Sequence, residues 1–260
     1  MFFIDVQGTL IEDNTKLPIR GAVAFIDHLN RTQTPYMVIT NSTKHASEDF
    51  LAYLNSIGLS IPKEHYLDPL MVLERYIDPN QKVAAYGSEA FLNVLRTMGL
   101  ILDFVSPDVV LIAIKENFTP DEYAQMIEFL LSGARLVGMH ETTLYVKNHK
   151  RYPGVGAILK MLEFATSSPY TVVGKPSTAF FEEALKRLGD QRKGITFADV
   201  TIISDDLKGD IIGARELGMK GIFVLSGKYK SGDEILPLIP QHQQPDAVYR
   251  DMQEVLEKSL

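Results

Sequence analysis

Met1-Phe2-Phe3-Ile4-Asp5-Val6-Gln7-Gly8-Thr9-Leu10 opens the chain, and the reading of this stretch decides the fold. Phe2, Phe3 and Ile4 form a short apolar run that stops at a carboxylate, with Gly8 and Thr9 just beyond. A continuous apolar segment that ends in chemistry is the pattern of a buried parallel strand. Open α/β sheets bind ligands just past the carboxyl ends of such strands. Asp5 is therefore the first candidate for chemistry, and Gln7 is the odd residue of the stretch.

The pattern recurs outward from there. Ala22, Phe25, Ile26 and Leu29 follow at helical spacing, and Tyr36-Met37-Val38-Ile39 is a second apolar run, ending in Thr40-Asn41-Ser42-Thr43. Strand, helix, strand is a βαβ unit. Helical spacing resumes at Ser47, stops at Gly58, and predicts a further helix over Leu70 to Tyr76. Lys82 to Tyr86, Val109 to Ile114 and Arg135 to Gly138 read as strands separated by helices. One helix opens on Thr119-Pro120-Asp121-Glu122, a capping threonine, a first-turn proline and a glutamate three places on. Lys147 to Pro153 is basic and reads as a loop, and a helix runs on from Gly154.

The last third returns to the opening style. Tyr170 to Val173 reads as a strand leading to Gly174-Lys175-Pro176-Ser177 and a helix through Phe180, Phe181, Ala184 and Leu185. Val200 to Ile203 is a strand ending in Ser204-Asp205-Asp206, followed by a helix over Ile211 to Leu217 and a strand over Gly221 to Leu225. Strands alternating with helices throughout predict an α/β, doubly wound parallel-sheet (Rossmann-like) fold.

Composition narrows the function classes. At 260 residues and 45% hydrophobic, with mean hydropathy near zero, the chain suits one large domain or a core carrying an insertion. A net charge of −7 argues against non-specific nucleic-acid binding. The absence of cysteine excludes disulfides, thiolate zinc sites and a cysteine nucleophile. The longest apolar run, Val109 to Ile114, is far short of the ~20 residues that span a bilayer. No basic flank precedes the opening apolar residues, so no secretory leader is predicted. A cytoplasmic protein with neither membrane nor nucleic-acid partner is expected.

Asp5, Thr40, Lys175 and Asp205 each follow a predicted strand. Singly, such residues are ordinary caps, turn formers or surface charges. Together, parallel strands would bring two carboxylates, a hydroxyl and a cation to one sheet edge. Paired carboxylates suit Mg²⁺, which takes one or two of them plus water and substrate phosphate. A hydroxyl, a helix N-terminus and a lysine suit phosphate oxygens. Asp5 then has the chemistry of a carboxylate nucleophile. The set reads as a phosphoryl-transfer site.

In this order the residues resemble the four motifs of the haloacid dehalogenase (HAD) superfamily. These are Asp5-Val6-Gln7-Gly8-Thr9, Ile39-Thr40-Asn41, Gly174-Lys175-Pro176-Ser177, and Ser204-Asp205-Asp206-Leu207-Lys208-Gly209-Asp210-Ile211. Phe118-Thr119, Gly133-Ala134, Tyr152-Pro153-Gly154-Val155-Gly156-Ala157-Ile158, Val224-Leu225-Ser226-Gly227 and Pro245-Asp246 are similar to its subclass IIA, the 4-nitrophenylphosphatase/NagD-like branch. The resemblance covers essentially the whole chain. It implies a HAD core over 1–81 and 167–260 with an inserted α/β cap over 82–166.

The resemblance also implies roles. Asp5 is the expected nucleophile and a Mg²⁺ ligand, with the backbone carbonyl of Gln7 and the Asp205 carboxylate as the other ligands. Thr40 and Asn41 are expected to hold the transferring phosphoryl group of a small phosphorylated metabolite, and Lys175 to neutralise it. Asp206 and Asp210 are supporting residues. Met139 to Thr143 and Lys147 to Arg151 are candidates for the cap's specificity surface, and pairing of relatives through their caps suggests a homodimer by analogy.

Gln7 breaks the pattern. The resemblance implies an aspartate here that protonates the leaving oxygen and later activates water, and an amide exchanges no proton near neutral pH. Such catalysis is typically worth 10²–10⁴-fold, roughly 3–5 kcal/mol of barrier. Three expectations follow. One is a slow or specialised phosphohydrolase, with Asp206 or His140 as replacement donors. The second is a catalytically impaired phosphate-ester-binding or regulatory protein of the same fold. The third is a dehalogenase or phosphonatase, relatives that also lack an aspartate at this position but whose cap and loop motifs differ.

Overall fold

A computed structural model describes residues 1–147 and 150–259. They form two compact units, Met1–Thr40 with Glu48–Leu67 and Thr178–Leu260, and Asn41–Ser47 with Asp68–Ser177. The second is thus inserted into the first.

The first unit begins with β1 (Phe2–Ile4), α1 (Ala22–Thr32), β2 (Tyr36–Ile39), α2 (Ser47–Ser56) and the short β3 (Tyr66–Leu67). In the second unit lie β4 (Lys82–Tyr86), α3 (Glu89–Thr97), β5 (Ile101–Leu102), β6 (Val109–Ile112), α4 (Pro120–Leu131), β7 (Arg135–Gly138), β8 (Leu144–Lys147), β9 (Lys150–Pro153), α5 (Val155–Thr166) and β10 (Tyr170–Val172). The chain then returns to the first unit as α6 (Thr178–Gln191), β11 (Thr201–Ser204), α7 (Ile212–Glu216), β12 (Lys220–Val224), β13 (Ala247–Tyr249) and α8 (Met252–Ser259).

The first unit's sheet has the order β13-β12-β11-β1-β2-β3, parallel throughout. Its strands are apolar on both faces because both faces are covered. Phe3 stacks on Phe181 of α6 at 6.3 Å, and Phe2 meets Phe25 of α1 edge-on at 5.6 Å. β1 lies between β2 and β11, with Ile4 opposite both Val38 and Ile203. Asp5, Thr40 and Asp205 therefore leave three adjacent strands at one edge, as the sequence predicts.

The second unit's sheet has the order β10-β7-β6-β4-β5, again parallel. Tyr86, Val110, Ile112, Met126, Leu136 and Leu159 fill its core against α4 and α5. The predicted start of α4 is a full capping box. Glu122 N–H donates to Thr119 Oγ1 at 3.2 Å, and Thr119 N–H to Glu122 Oε2 at 2.9 Å.

Three expectations are corrected, and one predicted helix forms with an added turn before it. Tyr170–Val172 does not join the first sheet but pairs with Arg135–Gly138, so Lys175 follows a strand of the second sheet. Local alternation alone does not say which sheet a strand enters. The segment predicted as a helix over Leu70 to Tyr76 is a 3₁₀ helix, Pro69–Arg75. Asp68 caps it, accepting Met71 N–H at 3.2 Å, and its short span favours the tighter winding. Of the loop predicted over Lys147 to Pro153, Lys147 and Lys150–Pro153 are instead strand: β8 pairs antiparallel with β9, and Tyr145 stacks on its cross-strand partner Tyr152 at 5.3 Å. Asn148 and His149, within the Lys147 to Arg151 specificity candidate, lie outside the described residues. The helix over Ile211 to Leu217 is preceded by a π-helical turn, Leu207–Ile211, with Ile211 N–H bonded to Asp206 O at 3.2 Å.

Candidate active site

The candidate site of the first unit is built around β1. Its loop turns back at once: Leu10 and Ile11 N–H both donate to Val6 O, and Gly8 N–H donates to Ile11 O. This turn requires Gly8 at φ 76°, a left-handed conformation that side chains disfavour. The carbonyl of Gln7 stays outside these bonds. Gln7 is also half-buried, whereas its neighbours from Phe2 to Ile11 are buried.

Thr9 joins the two carboxylate-bearing strand ends. Its hydroxyl donates to Asp5 Oδ2 at 3.2 Å and accepts the Asp205 N–H at 3.1 Å. All three residues are buried. Asp205 is also held from the far side, where Lys228 N–H donates to its Oδ2 at 2.8 Å. Ser226, in the same loop, donates its hydroxyl to Gly8 O at 2.7 Å, tying the loops after β1 and β12 together.

The supporting carboxylates are committed. Asp206 Oδ1 accepts the Gly209 N–H at 2.9 Å, and its Oδ2 pairs with the Lys228 ammonium. Asp210 Oδ2 accepts the Ser204 hydroxyl at 2.7 Å, and Ser204 Oγ in turn accepts the Asp206 N–H at 3.0 Å. Burial pushes the Asp205 carboxyl well above the usual carboxylate range; the Lys228 ammonium pulls against this, while Asp5 and Asp206 add to the push. Lys228 itself is held above the ordinary lysine range: burial disfavours its charge, but Asp206 and Asp205 outweigh burial. Negative charge this concentrated favours a bound cation.

The donor set says which cation fits. Among the described residues no group of three or more His, Cys, Asp or Glu side chains is arranged to hold a metal ion. The set expected from the sequence, Asp5, Asp205 and the Gln7 carbonyl, would be all oxygen with only two carboxylates. That suits Mg²⁺, which keeps several waters and needs only one or two carboxylates.

Thr40 follows β2, and its hydroxyl donates to Gln7 Oε1 at 2.8 Å. Asn41 and Lys175 belong to the second unit, where they are locked to each other. Lys175 N–H donates to Asn41 Oδ1 at 2.9 Å, and Asn41 Nδ2 donates to Lys175 O at 3.2 Å. Lys175 is buried, on the edge that also carries Met139 to Thr143: Gly174 N–H bonds Met139 O at 2.9 Å and Glu141 N–H bonds Lys175 O at 3.2 Å. His140 is buried there, its Nδ1 accepting the Thr142 N–H at 3.4 Å.

Thr9, Ser226, Gly227 and Lys228 are the site residues whose contacts the sequence does not show. Thr9 carried a local signal as a polar residue inside the opening motif, Ser226 and Gly227 only their likeness to the family branch, and Lys228 none.

Comparison with known proteins agrees with this architecture. A family model described as haloacid dehalogenase-like hydrolase matches residues 2–101, and a HAD-hydrolase-like model matches residues 172–255. Haloacid dehalogenase-like hydrolase domain-containing protein 2 of Bos taurus is 29% identical over 242 residues, covering 89% of this chain and 86% of the relative. Ribonucleotide monophosphatase NagD of Escherichia coli is 24% identical over 253 residues, covering 95% of this chain and 96% of the relative. The structure of p-nitrophenyl phosphatase from Archaeoglobus fulgidus superposes with a TM-score of 0.82 at 24% identity, covering 100% of this chain and 98% of that one.

Proposed function

The chain belongs to the haloacid dehalogenase-like hydrolases, and from that premise we propose that it is a Mg²⁺-dependent phosphatase acting on small phosphate monoesters. The relatives named ribonucleotide monophosphatase, acid sugar phosphatase (Staphylococcus saprophyticus) and p-nitrophenyl phosphatase support the reaction class. The observation that carries the proposal is the Thr9 hydroxyl spanning Asp5 and Asp205 at the ends of adjacent parallel strands.

In this reading Asp5 attacks phosphorus through a carboxylate oxygen. The bond to the leaving oxygen breaks, and an aspartyl phosphate remains. Asp5, the Gln7 carbonyl and Asp205 would hold Mg²⁺, whose contribution when bound is to neutralise phosphate charge. Asn41 and Lys175 bind the phosphoryl oxygens, Lys175 supplying a positive charge, and Thr40 joins them only when its hydroxyl proton turns from Gln7 to the phosphoryl group. Asp206 and Asp210 fix the loop that presents Asp205.

Gln7 sets the substrate range. Without a proton donor here, esters whose alcohol leaves readily as an anion react, and alkyl esters lag by roughly 10²–10⁴-fold. Asp206 is a poor replacement donor because it already pairs with the Lys228 ammonium. The impaired, binding-only protein is the competing reading, favoured by the same amide.

The test is an assay of 4-nitrophenyl phosphate beside alkyl phosphates, with and without Mg²⁺. Turnover of the aryl ester that needs Mg²⁺ and vanishes in Asp5→Asn is the expected result. Binding of phosphate esters without any Mg²⁺-dependent turnover would leave the binding-only reading standing instead.

A further inference from the structure

The contact between Thr40 and Gln7 fixes more than a rotamer. An amide has an oxygen that accepts and an NH₂ that donates. Gln7 Oε1 accepts the Thr40 hydroxyl at 2.8 Å, which holds the amide by its oxygen and leaves both NH₂ protons to donate elsewhere. The side chain two places after Asp5 is therefore a neutral donor. It can hydrogen-bond an ester or phosphoryl oxygen, but it cannot take a proton from water.

The neighbouring carboxylates of this sheet edge do not make up the loss. Asp206 is held by the Lys228 ammonium and the Gly209 N–H, Asp210 by the Ser204 hydroxyl, and Asp205 Oδ2 by the Lys228 N–H.

The two half-reactions at Asp5 have unequal needs. In the first, the carboxylate bonds to phosphorus and the ester oxygen departs with its electron pair; a nitrophenolate leaves without being protonated. In the second, water bonds to phosphorus, the Asp5–phosphorus bond breaks, and the water must lose a proton. With an amide in place of a base at residue 7, that proton leaves with the departing phosphate or to solvent.

We propose that Gln7, oriented by Thr40, uncouples these halves so that phospho-Asp5 accumulates. The phosphorylated chain, rather than the free one, is then the dominant form whenever an activated phosphate ester is present. This rests on Asp5 being the nucleophile, and it goes further by naming the slow step and the state that persists.

Rapid mixing of the native protein with 4-nitrophenyl phosphate and Mg²⁺ tests it. The expected record is a burst of about one nitrophenolate per chain, followed by a slow line. A quench during the slow phase should show one phosphoryl group on the peptide bearing Asp5, removed by neutral hydroxylamine as an acyl phosphate is. Gln7→Asp should abolish the burst and steepen the line by roughly 10²–10⁴-fold, whereas Gln7→Asn, still an amide, should retain the burst. Linear release from time zero with no covalent phosphate, in a protein that does turn over, overturns the proposal while leaving the phosphatase reading intact. An absence of turnover, label and Mg²⁺ dependence removes both. If Gln7→Asp does not fold, the native burst and label still decide.

Discussion

Gly227 passes so close to Asp205 that a Cβ built on it would stand 1.8 Å from Oδ2 and 2.4 Å from Cγ. A Cβ on Gly8 would stand 2.3 Å from the same oxygen. Asp205 is thus gripped between two backbone segments with no room for a side chain on either. Aspartate is too short to swing aside, because Gly227 would also press on its Cβ at 2.7 Å.

Gly227→Ala should therefore displace the Asp205 carboxylate. Groups that orient a metal ligand typically cost 10–100-fold in affinity when changed, so Mg²⁺ binding should weaken by about that factor. Stability should fall by about 1–3 kcal/mol from overpacking. Calorimetric titration and urea unfolding read the two effects separately. Native Mg²⁺ affinity in a folded Gly227→Ala protein would remove Asp205 from the proposed metal site.

Lys228 carries a second prediction. Its ammonium pairs with Asp206, and the two side chains are 22% and 15% exposed. Breaking a buried pair costs 3–5 kcal/mol and an exposed one 0–1, so Lys228→Met should cost about 2 kcal/mol. The folded form holds this lysine above its ordinary value, since Asp206 and Asp205 together outweigh the opposing effect of burial. A raised pKa gives stability that is complete below the unfolded value near ~10.4 and lost as pH rises through the folded one. The deficit of Lys228→Met in urea should thus be constant between about pH 6 and pH 9. A deficit that disappears toward the acid end would assign the stabilisation elsewhere.

These two residues show where the sequence stops being informative. Asp5, Thr40 and Asp205 were legible because each ends an apolar run, and adjacent parallel strands share an edge. Lys228 and Thr9 act through partners on other loops, Asp206 and Asp205, and no local pattern encodes such a partner. Lys175 was legible as a residue after a strand, but its strand's place beside β7 was not. Pairing is a long-range choice, and the Tyr170–Val172 run reads the same in either sheet. The pairing of β8 with β9 was hidden for a similar reason: Tyr145 meets Tyr152 from the other strand, and the charged residues between them in the sequence read as loop.

The Pro245-Asp246 pair, noted in the sequence only as a family likeness, anchors the edge strand β13. Asp246 Oδ2 accepts the Gly221 N–H at 2.7 Å and the Arg215 guanidinium, while its own N–H donates to Gly221 O at 2.8 Å. Burial raises the pKa of this carboxyl, but the Gly221 N–H and then Arg215 outweigh it and leave the value lowered. A lowered carboxyl pKa gives stability that is present above the unfolded value near ~3.9 and lost as pH falls through the folded one. Asp246→Asn should lower stability by about 1 kcal/mol at neutral pH. Below the native protein's acid transition the difference should close. A constant difference down to the most acid condition would mean that the Asp246 charge plays no part.

Thr9 offers the sharpest separation between holding the site and merely filling it. Thr9→Val preserves the volume and the branched Cβ but removes the hydroxyl that donates to Asp5 Oδ2 and accepts the Asp205 N–H. The buried Asp205 N–H then has lost its acceptor, which costs about 1–3 kcal/mol. Asp5 also loses the donor that holds its Oδ2, and with it the orientation of the carboxylate proposed to attack phosphorus. Thr9→Ser keeps the hydroxyl and loses only a methyl, with a deficit of about 1 kcal/mol. In burst measurements with 4-nitrophenyl phosphate, Thr9→Val should therefore slow the phosphorylation of Asp5 itself, while Thr9→Ser should leave that phase near native. If both variants slow it equally, the methyl group matters and the bridge between Asp5 and Asp205 does not. If neither does, the nucleophile is oriented by something other than Thr9.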